Sequence, residues 1–259
     1  MHFTERDVAE LLSEWPRLRR RPSPAAGRAV VAGIIRFEAM PAGKPAVTDE
    51  YKIRIECSLV PSSSLPQAYE EGGRIERHID NHVYSDGGMC LGSPLRLLQV
   101  LGASPTLNDF VSKCVVPFLY AASWRKQGHP DYPFDELPHG GNGLVEDYQR
   151  LFDLSGADSV ARTLGLLTLR RRVANKKMCP CGCNRKLAAC PLRGRLAPFR
   201  RLAARNFYEE QRQLVTAEAA QVAKREVVGA AVAGRVRIDR RAPLLAVSPR
   251  AQSRRWRLV

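Results

Sequence analysis

The sequence predicts an α+β protein: an N-terminal helix, an antiparallel meander and C-terminal helices, followed by a helical basic region stapled by cysteines. Three observations predict it. Residues 51–59 alternate apolar and polar side chains with the two-residue period of a half-buried strand. Apolar residues recur at helical spacing over residues 4–15 and again after Pro94. Four of the seven cysteines crowd between Cys179 and Cys190, as metal ligands do.

The first helix has its own start signal. Thr4 is an N-cap with Asp7 three residues on, and Phe3 and Val8 are spaced as a hydrophobic staple. Val8, Leu11, Leu12 and Trp15 share one face, and the run Arg17–Arg21 with Pro22 is expected to end the helix. Residues 29–39 are rich in Val, Ile and Phe and read as a strand. In the next strand Tyr51, Ile53, Ile55, Cys57 and Leu59 face one way, and Lys52, Arg54, Glu56 and Ser58 the other. Cys57 therefore belongs to the core. Residues 41–48 hold Gly43 and two prolines, as a hairpin loop would. Residues 61–73 read as loop, and a short strand is expected over Arg74–Ile79.

After Pro94 the chain turns helical. Leu107, Val111, Cys114, Val115, Phe118 and Ala122 share a face, which makes Cys114 core as well. Pro117 should kink or break that helix. Residues 128–143 form a Gly/Pro/His-rich loop that carries His139. Helices are expected near 144–153 and 157–172, and a long basic one from about Pro198 to Arg225. The tail from Gly229 is expected to be partly disordered. The chain thus reads as three parts: 1–155, 156–228 and 229–259.

Charge separates these parts. The formal net charge is +15, yet residues 1–161 hold 17 Lys/Arg against 21 Asp/Glu, a balance of −4. Residues 162–259 hold 24 against 5, a balance of +19. Such a basic region suits nucleic acid, an anionic membrane surface or an acidic protein partner. The N-terminus shows no apolar targeting segment, and no apolar run approaches the ~20 residues that span a bilayer. A cytoplasmic protein with reduced cysteines is expected, which favours metal binding and nucleophilic chemistry over disulfides.

Two cysteine constellations stand out. In His82-Val83-Tyr84-Ser85-Asp86-Gly87-Gly88-Met89-Cys90-Leu91-Gly92, one cysteine follows a Gly-rich turn, with a histidine eight residues upstream. A nucleophilic thiol needs a depressed pKa and donors for an oxyanion, and turn N–H groups near Gly88–Leu91 are candidate donors. A buried structural thiol is the competing reading. The second constellation is Cys179, Cys181, Cys183 and Cys190. Four thiolates fill a tetrahedral zinc shell and leave no open position, so a structural Zn2+ is expected rather than a catalytic one.

That second segment resembles the SEC-C zinc motif, which runs Cys-x-Cys-Gly and ends in Cys followed by Cys or His. Cys179, Cys181, Gly182 and Cys190 match it, but Pro191 stands where the family has its last ligand. Cys183 is inferred to complete the set; the alternative is three cysteines with a distant histidine. The first segment, with the order of elements around it, resembles the ubiquitin-conjugating (E2) fold. It is most similar to the prokaryotic E2-like proteins found beside E1-like and ubiquitin-like partners. The residues that carry the likeness are Gly87 and Cys90-Leu91, with His82 where eukaryotic E2 enzymes have Asn. The likeness extends over roughly residues 1–155.

The resemblance implies an E2-like transferase. Cys90 would accept a ubiquitin-like protein as a thioester from an E1-like enzyme and pass it to an amine. His82 would donate to the oxyanion, stabilise the loop or tune the thiol. Asp86, Gly87 and His139 are candidate supporting residues, and His78 and Asp80 could gate an attacking lysine. A different class remains open beside this one: a zinc-containing basic module that binds nucleic acid or an acidic protein on an inactive E2-like scaffold.

Overall fold

The computed structural model describes residues 3–23, 25–62, 64–129, 133 and 143–235, with side chains through Lys224. Helix α1 (Glu5–Glu14) begins as its sequence dictates: Thr4 and Asp7 form a capping box, the Thr4 N–H donating to Asp7 Oδ2 at 2.8 Å. Val8 and Leu11 on its inner face are buried.

Four strands follow in an antiparallel meander of order β1-β2-β3-β4: β1 (Leu18–Arg21), β2 (Arg28–Ala39), β3 (Val47–Ser58) and β4 (Gln67–Glu70). The register sets Val31 opposite Ile55 and Ile35 opposite Tyr51. Tyr51, Ile53, Ile55 and Cys57 are all buried, as the alternation requires. Gly33 lies where β1 crosses β2. A Cβ there would sit 2.2 Å from the Arg17 carbonyl oxygen, so only glycine permits the approach.

Two expectations fail here. The basic run does not merely end α1; Leu18–Arg21 is the edge strand β1, with only Leu18 buried. Charged side chains suit an edge because they discourage pairing with another chain. The strand expected over Arg74–Ile79 is absent, and the fourth strand lies earlier, within the expected loop, at Gln67–Glu70. Residues 74–78 run as bends into a 3-10 turn at Ile79–Asn81.

Helix α2 (Pro94–Leu101) starts at the Ser93 N-cap. Helix α3 (Leu107–Phe110) continues through a π-helical turn at Val111–Val115 into α4 (Val116–Lys126). This is how the chain accommodates Pro117. The helix widens in the turn before the proline, and the Val116 N–H donates to the Val111 carbonyl, five residues back. Helix α4 packs on β2 and β3, and α1 packs on α3. Buried Tyr51 bonds Ser123 of α4 across that interface at 2.9 Å.

A second set of helices comprises α5 (Gly143–Phe152), α6 (Ala157–Thr168), α7 (Arg171–Ala174), α8 (Leu192–Leu202) and α9 (Arg205–Arg235). The helix expected from Pro198 is two helices, broken at Ala203–Ala204, and Pro198 lies inside α8. Helix α9 runs through Gly229 to Arg235, taking in the start of the expected tail; the rest of that tail, residues 236–259, lies outside the described residues. The chain divides into two units, Met1–Val222 and Ala223–Val259.

The first unit holds two clusters of buried side chains. One joins the sheet to α1, α3 and α4; the other gathers Tyr148, Phe152, Leu164, Leu196 and Phe199 with Cys179 and Cys190. Helix α2 serves both, giving Leu97 and Leu101 to the first and Leu95 and Leu98 to the second. Among the described residues, no helix is long and apolar enough to cross a membrane.

Candidate active site and candidate metal centre

The segment 82–90 folds back on itself as a hairpin. Val83 pairs antiparallel with Met89, and Tyr84 and Gly88 bond through Tyr84 N–H to Gly88 O at 2.9 Å. The three-residue loop Ser85–Gly87 closes with Gly87 N–H donating to Tyr84 O at 2.9 Å, Gly87 at φ +89. This is the type of hairpin loop that needs a left-handed residue at its last position. Glycine is doubly required at 87, since a Cβ would also lie 2.8 Å from the Glu70 carbonyl oxygen. Asp86 acts within the turn: its Oδ1 accepts from the Gly88 N–H at 2.8 Å.

The hairpin is fastened to the sheet. Met89 N–H donates to Ala68 O and Glu70 N–H to Gly87 O, both at 2.8 Å, so the hairpin extends the meander beyond β4. On its other side, Arg125 of α4 donates to the Asp80 carbonyl and to Asn81 Oδ1, pinning the 3-10 turn that leads into it. His78 caps that turn and pairs with Asp80 at 3.3 Å, both side chains exposed.

This pairing brings His82 and Cys90 together across the hairpin. The Cys90 N–H donates to the His82 carbonyl at 2.8 Å, and His82 takes a left-handed φ of +54 that closes the 3-10 turn. The backbone of His82 thus helps to place Cys90. The expectation about oxyanion donors changes. The N–H groups of Gly88, Met89 and Cys90 are spent on Asp86, Ala68 and His82, which leaves Leu91 of the four.

One residue of the site was not singled out from sequence. Tyr84 is 50% exposed, and its hydroxyl is electrostatically linked to Cys90. Burial, that link and the charge of Asp86 push its pKa up to about 12, so it remains a hydroxyl donor beside the sulfur. Tyr84 lies opposite Gly88, and the diagonal neighbour two residues on is Cys90, within reach of a long side chain. Only the hairpin register reveals this. His139 lies outside the described residues.

The remaining cysteines sort as expected. Cys57 and Cys114 are buried, and burial pushes both thiols up to about 11. Cys90 is half-buried. At pH 8, an alkylating reagent should therefore label Cys90 well before Cys57 or Cys114, because only thiolates react and buried ones are scarce. Peptide mass spectrometry of a time course checks the order.

The sulfurs of Cys179, Cys181, Cys183 and Cys190 all lie within 4.8 Å of one another. They could hold a metal ion. Tetrahedral zinc at ~2.3 Å from each sulfur would place sulfurs about 3.8 Å apart. Cys179 and Cys181 stand at 3.2 Å and Cys181 and Cys190 at 3.6 Å, so the set fits one small ion. No histidine joins the group among the described residues. An isolated antiparallel bridge builds it: Met178 pairs with Lys186, and Cys179 N–H donates to Arg185 O at 2.8 Å. Gly182 and Asn184 turn the chain between its two sides at positive φ. The backbone N–H of Arg185 and the neighbouring thiols draw Cys183 down to about 6, which suits a thiolate ligand.

Comparison with family profiles, with curated proteins and with solved structures finds no match to this chain.

Proposed function

We propose that the protein is an E2-like carrier, of the prokaryotic kind, that takes a ubiquitin-like protein as a thioester on Cys90. The observation that carries the reading is the setting of that one thiol. It is half-buried at the end of a hairpin locked onto the meander, opposite His82 and diagonal to Tyr84. The other six cysteines are buried in a core or gathered in the metal-type cluster.

The chemistry is two acyl transfers. The Cys90 thiolate attacks the thioester carbonyl of the ubiquitin-like C-terminus; the new C–S bond forms as the bond to the E1-like cysteine breaks, and that cysteine leaves as thiolate. An amine then attacks the same carbonyl, the amide forms and loses a proton, and Cys90 is released. Each step passes through an oxyanion, for which the Leu91 N–H, the Tyr84 hydroxyl and His82 are the candidate donors. Gly87 and Asp86 serve by shaping the turn. The cysteine cluster, read as a SEC-C-like knot, would hold a structural Zn2+ that staples the second core.

The test uses a cognate E1-like enzyme and its ubiquitin-like protein, with ATP, on a non-reducing gel. A thiol-sensitive adduct should form, vanish in Cys90→Ala and persist in Cys57→Ala and Cys114→Ala. Absence of any adduct, or one that survives Cys90→Ala, overturns the reading. With salt-sensitive nucleic-acid binding, that result would leave a binding module on an inactive scaffold.

A further inference from the structure

The surface around the cysteine cluster carries a charge that the fold does not balance. From Ser159 to Tyr208 the chain holds thirteen Lys or Arg and no Asp or Glu. Among the described residues, Arg170, Arg171, Arg172, Lys176, Lys177 and Lys186 are exposed and none makes an ion pair. The ion pairs of this region, Arg162 with Asp158 and Arg195 with Asp153, draw their acids from the preceding segment.

The backbone holds these cations side by side. Leu187 N–H donates to Lys177 O at 2.9 Å, and Met178 pairs with Lys186 in an isolated bridge, so Lys177 and Lys186 lie on two adjacent segments. Helix α7 with its arginines leads through a turn into the first of those segments. From α8, Arg200 reaches the Leu166 and Leu169 carbonyls at 2.8 Å, and the charge of Arg171 adds to burial in lowering its pKa. Like charges at such spacing destabilise a fold. A tetrathiolate zinc centre, with a net charge of about −2, would offset only a small part. An external polyanion is the natural counter-charge.

The aromatics of this region say which polyanion fits. Phe199, Phe207 and Tyr208 are 4%, 3% and 1% exposed, so none is free to stack on an unpaired base. The exposed face offers guanidinium and ammonium groups, which meet phosphates. Aromatic anchors of the kind that dominate protein–protein interfaces are missing from its exposed side chains.

We propose that the face formed by α7 and the bridged segments beside the cysteine cluster docks the phosphate backbone of a nucleic-acid duplex, without reading its sequence. This site is separate from Cys90 and does not rest on the thioester reading.

The experiment measures binding of the full chain by fluorescence anisotropy to a random-sequence DNA duplex, the matching RNA duplex and single-stranded DNA. Salt is varied from 50 to 200 mM. Duplex affinity should fall linearly on logarithmic axes, and the Lys176→Ala/Lys177→Ala/Lys186→Ala variant should flatten the slope by about 0.9 for each phosphate that goes without its cation. A second variant, Arg170→Ala/Arg171→Ala/Arg172→Ala, avoids the bridged segments should the first fail to fold; melting and metal content verify both. The DNA and RNA arms tell which duplex is the ligand. The proposal is overturned if folded variants bind like the parent, if single strands bind more tightly than duplexes, or if anionic lipid vesicles or polyglutamate bind where duplexes do not.

Discussion

Removing the zinc proposed for the cluster of Cys179, Cys181, Cys183 and Cys190 is expected to unfold the second core while leaving the meander intact. Cys179 and Cys190 are buried there, packed with Leu187, Leu192 and Phe199. Without a metal, four thiols stand within 4.8 Å of one another, where their lone pairs repel once ionised. Structural zinc contributes folding free energy outright, because the unfolded chain has no preformed site. The purified protein should contain about one equivalent of zinc. A strong chelator should then deprotect backbone amides of α6, α8 and residues 175–190 in hydrogen exchange, with those of β2 and β3 unchanged. Cys181→Ser or Cys183→Ser should cost more than ~4 kcal/mol, in the upper tail of single-site effects. The result that sinks the prediction is equal protection with and without chelator, or zinc content untouched by Cys183→Ser.

The Cys183 result bears on what a sequence can disclose. Its place in the cluster was inferred by completing a motif that the chain breaks at Pro191; in the structure the gathered sulfurs place it there independently. The α1 cap, the alternation in β3, and the burial of Cys57 and Cys114 were equally legible, because each depends on local chemistry or a short period. What escaped depends on partners. Residues 18–21 spell Leu-Arg-Arg-Arg, which has no strand signature; they become β1 because β2 offers a free edge. Residues 74–79 carry a better apolar pattern than 67–70, yet Gln67–Glu70 pairs with β3. Tyr84 meets Cys90 only through the hairpin register, and Met89 and Cys90 lose their N–H groups to pairing with Ala68 and His82. The α+β class was therefore readable, and Cys90 could be singled out. The donors around it could not, because long-range pairing decides them.

Removing Arg96 is expected to be as revealing as removing the metal, since it acts on the joint between the two cores. Asp147 of α5 is fully buried. It accepts from Ser93 Oγ and from Arg96, whose Nε stands 2.9 Å from Oδ1. Ser93 is also the N-cap of α2, its Oγ accepting from the Arg96 N–H at 3.3 Å. One carboxylate thus fixes the start of the helix that follows Cys90 and ties it to the second core. Arg96→Ala leaves that carboxylate buried with a single hydroxyl. The loss of one partner of a buried pair costs about 3–5 kcal/mol, and the low end applies because the Arg96 side chain is 40% exposed. Arg96→Met with Asp147→Leu should recover most of the loss, because it removes the stranded charge along with its partner. Urea denaturation of the two variants measures this non-additivity. The looser N-cap should also expose the residues beside Cys90, so alkylation of Cys90 should run faster in Arg96→Ala than in the parent and return toward the parent rate in the double variant. Equal denaturation midpoints for the single and double variants would mean that the stranded Asp147 charge is not what Arg96→Ala loses, and would overturn the prediction.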